Sequence, residues 1–386
     1  MLGSVNAMTA VKMSFLGIAG GVFCAVLFFY FKPEPEPFRI GYVGSISGKY
    51  AAMGTSARNG ALLAAEQINE NGGVLGRPLE LVIMDDGGDP SRTLEVFQAL
   101  YDQGINIIIG PFTTACATRI LPFVNQQGIL TIGPATAGEN LAAQDDFFIK
   151  LFPSTKIFGQ KIGELAVHMG LSKMAIITDH RNKTFGDTMV QGFRPIFETE
   201  GRTVTGLVEY FSSNSTSHAD LAEIALNGSP DGVFIISSPI DTALLSQNMK
   251  RLEPDLQLFT APWAVATQLI ENGGKAVEGL RFYAPYISES KAPEYQVFTR
   301  IYQNRFSEPN THVSIFNYEA VKFLAKGLEN AASEAPSDVK AALLGLDRFQ
   351  GLQTVFRLDR NGDAGRPVFL HHIKDRKFTP LPQLTE

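Results

Sequence analysis

Cysteine is scarce in this sequence: only Cys24 and Cys116 occur among its 386 residues. Cys24 lies inside an apolar N-terminal stretch, so Cys116 has no partner for an intrachain disulfide in the folded part. The fold must therefore depend on its hydrophobic core, for which a 45% hydrophobic and 19% charged composition is ordinary. At roughly 100–200 residues per domain, the length predicts two or three domains.

The sequence also lacks the charge pattern and the motifs of several functional classes. Its formal net charge is −6 and it has no basic cluster, which argues against a nucleic-acid partner. Gly41, Gly44 and Gly48 do not have the spacing of a dinucleotide-binding turn, and no phosphate-binding G-x-x-x-x-G-K-[ST] loop occurs. A G-x-S-x-G nucleophile elbow is absent as well. These absences exclude the commonest nucleotide-dependent and hydrolytic sites.

No metal site or cofactor is expected from the sequence. The six histidines are scattered, and the adjacent His371 and His372 would point to opposite faces of a strand. Residues 359–363 begin like a calcium loop, but Ala364 and Leu370 stand where glycine and glutamate are needed. A tight Asn-Gly turn between two strands is the better interpretation of residues 359–363.

The N-terminal region has an uncharged apolar stretch at residues 13–31, flanked by Lys12 and Lys32. As a helix it would rise about 28 Å, close to the thickness of a membrane's hydrocarbon core. An aromatic exit suits a membrane interface, and no small-residue cleavage site follows, so an uncleaved anchor is preferred over a signal peptide. Residues 33–37 alternate proline and glutamate, which predicts an extended spacer.

From Phe38 onward, apolar strands alternate with amphipathic helices, which argues for parallel sheets covered by helices on both faces. One set of these units ends near Pro153 and a second begins after it, so two α/β lobes are expected. Ligands of such sheets bind at the carboxyl ends of the strands. The loops expected there are residues 44–54, 110–115, 133–140, 179–185, 237–241 and 261–267.

One of these loops leads into a helix that begins with Thr113, Thr114 and Cys116. Hydroxyl groups beside the free backbone N–H groups of a helix end form a place that attracts an anion. A threonine at this position also caps a helix without any ligand, so both interpretations stay open. Cys116 is either a reactive thiol at a helix end or a buried one.

Several segments together resemble a known family: residues 48–54, 59–69 with Gly72-Gly73, 85–90, 109–114 and 128–134. In order and spacing they are similar to the leucine/isoleucine/valine-type substrate-binding proteins of ABC transporters, from about Phe38 to Lys377. The resemblance implies an α/β fold of two doubly wound parallel-sheet lobes joined by three crossovers, the Venus flytrap of type I periplasmic binding proteins. We expect it to be preceded by an N-terminal transmembrane helix.

The resemblance also implies where the crossovers lie: near Phe152-Pro153, Ala284-Pro285 and 349–351. Lobe 1 would then comprise residues 38–153 with 286–350. Lobe 2 would comprise residues 154–285 with 351–386. Residues 1–32 would form the anchor or signal segment. In this family a ligand holds the lobes closed, and the transporter recognises the closed form.

Carried over by position, the family's carboxylate-anchoring hydroxyl falls on Thr114, with Thr113 beside it. A second anchoring loop corresponds to Ala135, Thr136 and Ala137, with a register uncertain by one residue. Three further ligand contacts are implied by the resemblance or by the loop positions: Met53 as a wall of the first loop, Phe185 as an aromatic lid, and Ser238 in the loop 237–241.

One position departs from the family pattern. The acidic residue that pairs with a ligand's α-ammonium should lie near Trp263, where no carboxylate occurs. An unpaired buried ammonium would cost several kcal/mol, so an α-amino acid needs another counter-charge, for which Asp241 and Asp179 are candidates. Otherwise the ligand lacks the ammonium, and Trp263 either stacks on its planar or apolar part or is ordinary packing.

The expected function is therefore extracytoplasmic binding of a small polar solute such as an amino acid, amide, urea or small carboxylate, without catalysis. ABC transporter membrane subunits or a sensory partner would read the closed form. A permanent anchor would favour a membrane-tethered sensor over a freely diffusing carrier. Two alternatives stay open: an enzyme on a similar scaffold, and a protein whose cleft has lost its ligand.

Overall fold

The computed structural model describes residues 35–136, 138–213, 215 and 217–384. Within these ranges no helix combines the length and the apolar character needed to span a bilayer. The anchor predicted at residues 13–31 and the site residue Ala137 lie outside the described residues.

The described chain alternates strands and helices along most of its length. The strands are β1 Phe38–Gly44, β2 Leu79–Asp85, β3 Ile107–Ile109, β4 Leu130–Gly133, β5 Phe148–Lys150, β6 Lys173–Asp179, β7 Thr203–Tyr210, β8 Gly232–Ile236, β9 Gln257–Thr260, β10 Arg281–Ala284, β11 Phe349–Gln350, β12 Val355–Leu358, β13 Ala364–Gly365, β14 Phe369–Lys374 and β15 Lys377–Pro380. The helices are α1 Ala51–Glu70, α2 Pro90–Asp102, α3 Thr114–Gln127, α4 Thr155–His168, α5 Lys183–Phe197, α6 His218–Leu226, α7 Pro239–Leu252, α8 Thr267–Gly273, α9 Pro293–Phe306, α10 His312–Asn330 and α11 Pro336–Leu344.

Lobe 1 is built on a parallel sheet with the strand order β2-β1-β3-β4-β5. Its central strands are apolar on both faces because helices cover both sides. Ile108 packs with Phe97 of α2 on one face, whereas Ile109 belongs to the larger core on the other. Helix α1 approaches α10 so closely that a Cβ on Gly60 would lie 2.1 Å from the carbonyl oxygen of Ser314.

Lobe 2 is built on a seven-stranded sheet with the order β15-β14-β10-β9-β8-β6-β7. The five strands from β10 to β7 are parallel, and β14 and β15 extend the β10 edge in the antiparallel sense. The parallel sheets predicted from the sequence are confirmed in both lobes, and the antiparallel extension in lobe 2 was not predicted.

The chain passes between the two sheets after β5, after β10 and before β14. Residues after β11 remain with lobe 1, since Phe349 and Phe356 pack on Phe323 of α10 with ring centroids 5.2 and 5.6 Å apart. The backbone N–H of Lys150 also donates to the carbonyl of Gly362 at 2.9 Å. The third passage thus lies just before β14 and not at 349–351, where it was predicted. The Asn-Gly turn predicted at 359–363 does join two antiparallel strands, β12 and β13.

Candidate functional site

A cavity of about 50 Å³ lies between the carboxyl ends of the two sheets. Lobe 1 contributes eight lining residues: Tyr50, Met53, Phe112, Thr113, Thr114, Ala135, His312 and Val313. Lobe 2 contributes Asn182, Phe185, Pro262 and Trp263, and Phe152 lies at the first passage between the lobes. Five of the six predicted loops therefore meet at this cavity, because the two lobes face each other. Six predicted site residues line it: Met53, Thr113, Thr114, Ala135, Phe185 and Trp263.

The amino end of α3 forms one polar wall of this cavity. Thr113 is the N-cap residue, and its Oγ1 accepts a hydrogen bond from the backbone N–H of Cys116 at 3.2 Å. Thr114 is the first residue of the helix and is 2% exposed. Capping and ligand contact are compatible here, because the capping threonine also lines the cavity. Burial raises the pKa of Cys116 to about 11, so this thiol stays protonated at neutral pH.

The second predicted anchoring loop reaches the cavity through Ala135. Thr136 is completely buried, but it does not line the cavity. Its Oγ1 points back toward its own loop, since a Cβ on Gly133 would lie 2.1 Å from that oxygen. Among the described residues Thr136 Oγ1 has no hydrogen-bond partner. The loop thus lines the cavity with the side chain of Ala135, and the hydroxyl of Thr136 lies behind it, away from the cavity.

The opposite wall of the cavity is aromatic and belongs to lobe 2. Phe185, in the first turn of α5, meets Trp263 edge to face with ring centroids 5.9 Å apart and an interplanar angle of 75°. Both side chains are buried, at 6% and 7% exposure. From lobe 1, Met53 packs with Val313 in a small apolar cluster beside them. The cavity therefore offers an apolar, largely aromatic surface to the body of a ligand.

Seven further residues line the cavity that were not predicted as site residues: Tyr50, Phe112, Phe152, Asn182, Pro262, His312 and Val313. Asn182 precedes α5, is 7% exposed, and caps that helix without a side-chain hydrogen bond. Its Oδ1 is buried and has no hydrogen-bond partner among the residues that the structure describes. Only its position in the loop 179–185, predicted to border the cleft, could have identified it. Tyr50 and Phe112 pack against each other with ring centroids 6.2 Å apart.

The two carboxylates considered as counter-charges are already paired with one cation. Arg181 donates from Nη2 to Asp241 Oδ2 at 2.6 Å and from Nε to Asp179 Oδ2 at 2.6 Å. Asp241 also contacts His218 Nε2 at 3.0 Å and accepts from Ser238 Oγ at 2.8 Å. Ser238, Asp241 and Asp179 do not line the cavity.

The ionisation of these two carboxyl groups differs because their surroundings differ. Burial raises the pKa of Asp179 to about 6, despite hydrogen bonds from the backbone N–H groups of Arg181 and Ser212. Burial acts in the same sense on Asp241, but hydrogen bonds from Ser238, Ser212 and His218 and the charge of Arg181 outweigh it and lower its pKa. Arg181 thus serves as the local counter-ion of both carboxyl groups.

A larger depression of the described surface lies elsewhere. It measures about 720 Å³ and belongs to lobe 1, where Val297 of α9, Tyr318 and Lys322 of α10 and Gln67 of α1 are among its lining residues. No strand of either sheet ends there. The smaller interlobe cavity is the better candidate site, because parallel α/β sheets bind ligands at the carboxyl ends of their strands.

A cluster of potential metal ligands also lies on lobe 2. His180, Asp187 and Glu209 place ligand atoms within 4.8 Å of one another. The ammonium of Lys183, however, lies 3.0 Å from Asp187 and 3.8 Å from Glu209, so a cation of the chain already occupies the space between them. We assign no metal ion to this cluster.

Comparison with known proteins agrees with this architecture. The model of the family described as periplasmic binding protein matches residues 37–377. The leucine-, isoleucine-, valine-, threonine- and alanine-binding protein of Pseudomonas aeruginosa is 24% identical over 310 residues, covering 80% of this chain and 82% of the relative.

Solved structures share the fold. A leucine-binding protein from Thermotoga maritima superposes with a TM-score of 0.81 at 21% identity, over 89% of this chain and 97% of the other. A solute-binding protein of an ABC transporter from R. palustris, in complex with benzoate, gives a TM-score of 0.78 at 19% identity, over 89% and 95% of the two chains. Together with the family match, the two lobes and the cleft between them show that this chain is a non-enzymatic type I periplasmic binding protein of the leucine/isoleucine/valine type.

Proposed function

We propose that this chain binds a small carboxylate-bearing solute between its two lobes and presents it to the membrane subunits of an ABC transporter. The observation that carries the proposal is the cavity itself, whose polar wall is the amino end of α3 and whose other walls are apolar. Hydroxyl groups and the partial positive charge at a helix N-terminus stabilise an anion. Membership of the family implies an extracytoplasmic location for this binding.

The ligands of the relatives support a carboxylate, but they differ in the group that carries the carboxyl. One relative is named for binding leucine, isoleucine, valine, threonine and alanine, and two structural neighbours contain benzoate and 3,4-dihydroxybenzoic acid. All of these ligands carry a carboxyl group. The aromatic rings of Phe112, Phe185 and Trp263 suit a planar or branched apolar body.

Binding requires the cavity to widen. A volume of about 50 Å³ is far below the roughly 300–1,000 Å³ of typical small-molecule sites. Because the walls belong to different lobes, rotation of one lobe about the three connecting segments would open the site, and ligand contacts made by both lobes would favour the closed form. This motion gives the transporter two forms to distinguish.

We further propose that residues 13–31 anchor the protein in the membrane. The uncharged, 19-residue length of this stretch and its aromatic exit support the anchor, and the spacer at 33–37 would separate the binding lobes from the bilayer. Fractionation of cells that express the full chain would test it: release by alkaline washing, which leaves integral proteins in the membrane, would contradict an anchor.

The ligand proposal is tested by isothermal titration calorimetry of the full chain in mild detergent. The probes are leucine, isoleucine, benzoate, 4-hydroxybenzoate, 4-methylpentanoate, acetamide and urea. We expect binding of at least one carboxylate, and a loss of about tenfold or more in its affinity in Thr114→Val, since a hydrogen bond to a charged group is removed.

Thr118→Val is the matched control, because Thr118 lies one turn later in α3, is exposed, and bonds to Asn140 outside the cavity. Its affinity is expected to equal that of the unmodified chain. Binding of acetamide or urea but of no carboxylate would contradict the proposal, and so would equal losses in Thr114→Val and Thr118→Val.

A further inference from the structure

The cavity contains one strong hydrogen-bond acceptor that nothing in the described structure uses. Asn182 is 7% exposed and lines the cavity beside Phe185 and Trp263, and its buried Oδ1 has no partner among the described residues. A buried amide oxygen without a hydrogen bond costs about 1–3 kcal/mol. Such a group therefore favours any ligand that donates a hydrogen bond to it.

Asn182 recognises a ligand by hydrogen bonding and not by charge. An Asn side chain offers an acceptor on one side and two donors on the other, and neither side carries a charge. Asn182 lies on lobe 2, whereas Thr113 and Thr114 lie on lobe 1. A ligand that contacts both walls thus needs an anionic end and a second polar group.

The surroundings of Asn182 determine whether the second polar group of the ligand is charged or neutral. No residue lining the cavity is an aspartate or a glutamate. The two carboxylates considered as counter-charges, Asp179 and Asp241, are both bonded to Arg181. An ammonium group placed against Asn182 would lose its hydration and would have no counter-ion. This is unfavourable in a closed cavity. A hydroxyl or amide N–H would lose only neutral hydrogen bonds and regain one.

We infer that Asn182 determines the specificity of the cleft by accepting a hydrogen bond from a neutral donor of the ligand, so that the protein selects carboxylates bearing a hydroxyl or amide N–H over α-amino acids. This inference rests on the proposed function and names the ligand class of the same site. It makes Asn182 the lobe 2 counterpart of the anion-binding wall formed by α3.

Matched probes test the inference with the full chain by isothermal titration calorimetry. The aliphatic series is 2-hydroxy-4-methylpentanoate, leucine and 4-methylpentanoate, which carry a hydroxyl, an ammonium and a hydrogen at the same carbon. The aromatic series is 4-hydroxybenzoate and benzoate. In at least one series, the hydroxyl compound is expected to bind about tenfold more tightly than its unsubstituted analogue, a factor typical of one hydrogen bond.

Two substitutions separate the role of Asn182 from general packing. Asn182→Leu keeps the branching at Cγ and removes the acceptor, so the hydroxyl preference should fall to about twofold or less. Asn182→Asp supplies the missing negative charge, and leucine is then expected to gain about tenfold in affinity relative to 2-hydroxy-4-methylpentanoate.

Asn272→Leu is the control, since Asn272 is exposed on α8 and does not line the cavity. Melting temperatures measured without ligand identify any variant that fails to fold. If Asn182→Leu does not fold, the affinities of Asn182→Asp test the inference. A hydroxyl preference unchanged in Asn182→Leu, or leucine preferred by the unmodified chain, would overturn the inference while leaving carboxylate binding intact. Failure of every carboxylate to bind would overturn the proposed function and this inference together.

Discussion

Arg366 and Glu319 form a buried ion pair where the chain passes between the lobes, with 2.7 Å between Nη1 and Oε2. Arg366 lies on the third passage between the lobes, just before β14, and it also contacts the first passage. Arg366 Nε donates to the carbonyl of Leu151 at 2.8 Å, and Glu319 Oε1 accepts from the backbone N–H of Leu352 at 2.7 Å. The guanidinium also lies 3.8 Å from the ring centroid of Phe356. The pair therefore fixes the ends of segments about which the lobes would rotate.

Replacement of Arg366 by Met is expected to lower the free energy of unfolding by about 3–5 kcal/mol, because the charge of Glu319 stays buried without a partner. Urea denaturation followed by circular dichroism measures the change. Arg305→Met is the control: Arg305 pairs with Glu66 on the surface, and its loss should cost no more than about 1 kcal/mol. Equal effects of the two substitutions would show that the buried pair has no special role.

Arg181 offers a second test of buried charge, this time beside the site. Arg181→Met would leave Asp179 and Asp241 without their common cation, and we expect a loss of about 3 kcal/mol in stability by urea denaturation. Adding Asp241→Asn should recover part of this loss, since one of the two negative charges disappears. Arg202→Met, whose partner Glu200 is mostly exposed, is the control. A double variant less stable than Arg181→Met would contradict the counter-ion role.

Two buried histidines predict how stability depends on pH. Burial lowers the pKa of His371 and that of His312 to about 4 each. Around His371, the backbone N–H of Ser288 donates to Nε2 at 3.3 Å and Nδ1 lies 3.0 Å from the carbonyl of Phe369, an arrangement of neutral imidazole. Its neighbour His372 also has a lowered pKa, chiefly through burial.

The direction in which stability changes with pH follows from comparison with the unfolded chain, in which histidine has a pKa of about 6.5. Between about pH 6.5 and 4 each of these histidines binds a proton in the unfolded state that it does not bind in the folded state. Each therefore contributes a fall in stability as the pH falls, of up to about 1.4 kcal/mol per pH unit. Urea denaturation at several pH values in this window measures the slope. His371→Phe should have a shallower slope than the unmodified chain; an unchanged slope would exclude His371 as a contributor.

Trp263 is the only tryptophan of the chain, so its fluorescence reports on the cavity alone. Binding of a carboxylate probe should shift its emission, because the ligand replaces water beside the ring. Phe185→Ala removes the ring that meets Trp263 and should weaken that probe's affinity by about tenfold or more. Phe211→Ala is the control, since Phe211 is 69% exposed on the same lobe. A silent Trp263 with a calorimetrically confirmed ligand would remove it from the site.

The parallel strands could be predicted closely because they are buried on both faces and therefore form short apolar runs. The sequence pattern predicts strands at residues 232–236 and 203–209. The first is β8, and the second lacks only Tyr210 of β7. The start of α1 was harder: residues up to Gly54 were predicted as loop, but the helix begins at Ala51. Small residues pack there against the loop before it, since a Cβ on Gly54 would lie 2.0 Å from the carbonyl of Ser45, and no apolar periodicity indicates such a contact.

In the site, too, the sequence predicts which loops take part better than it predicts the directions of single side chains. Strand ends predict which loops meet, but the direction of a loop side chain depends on packing that sequence spacing does not encode. Ala135 faces the cavity while the neighbouring Thr136 turns its hydroxyl toward Gly133. Asp241 was a candidate counter-charge by its loop position alone, and the structure shows that Arg181 and His218 already contact it.

The direction of β1 has a practical consequence for measuring these interactions. Phe38 begins the strand beside Pro78, and the strand runs toward Gly44 and the cavity wall, a rise of about 20 Å over its seven residues. A biotin or chip linkage introduced just before Phe38 would therefore leave the molecule on the side away from the cleft mouth. Protein immobilised in this way on a biosensor surface would keep its cleft accessible to solutes in the flow.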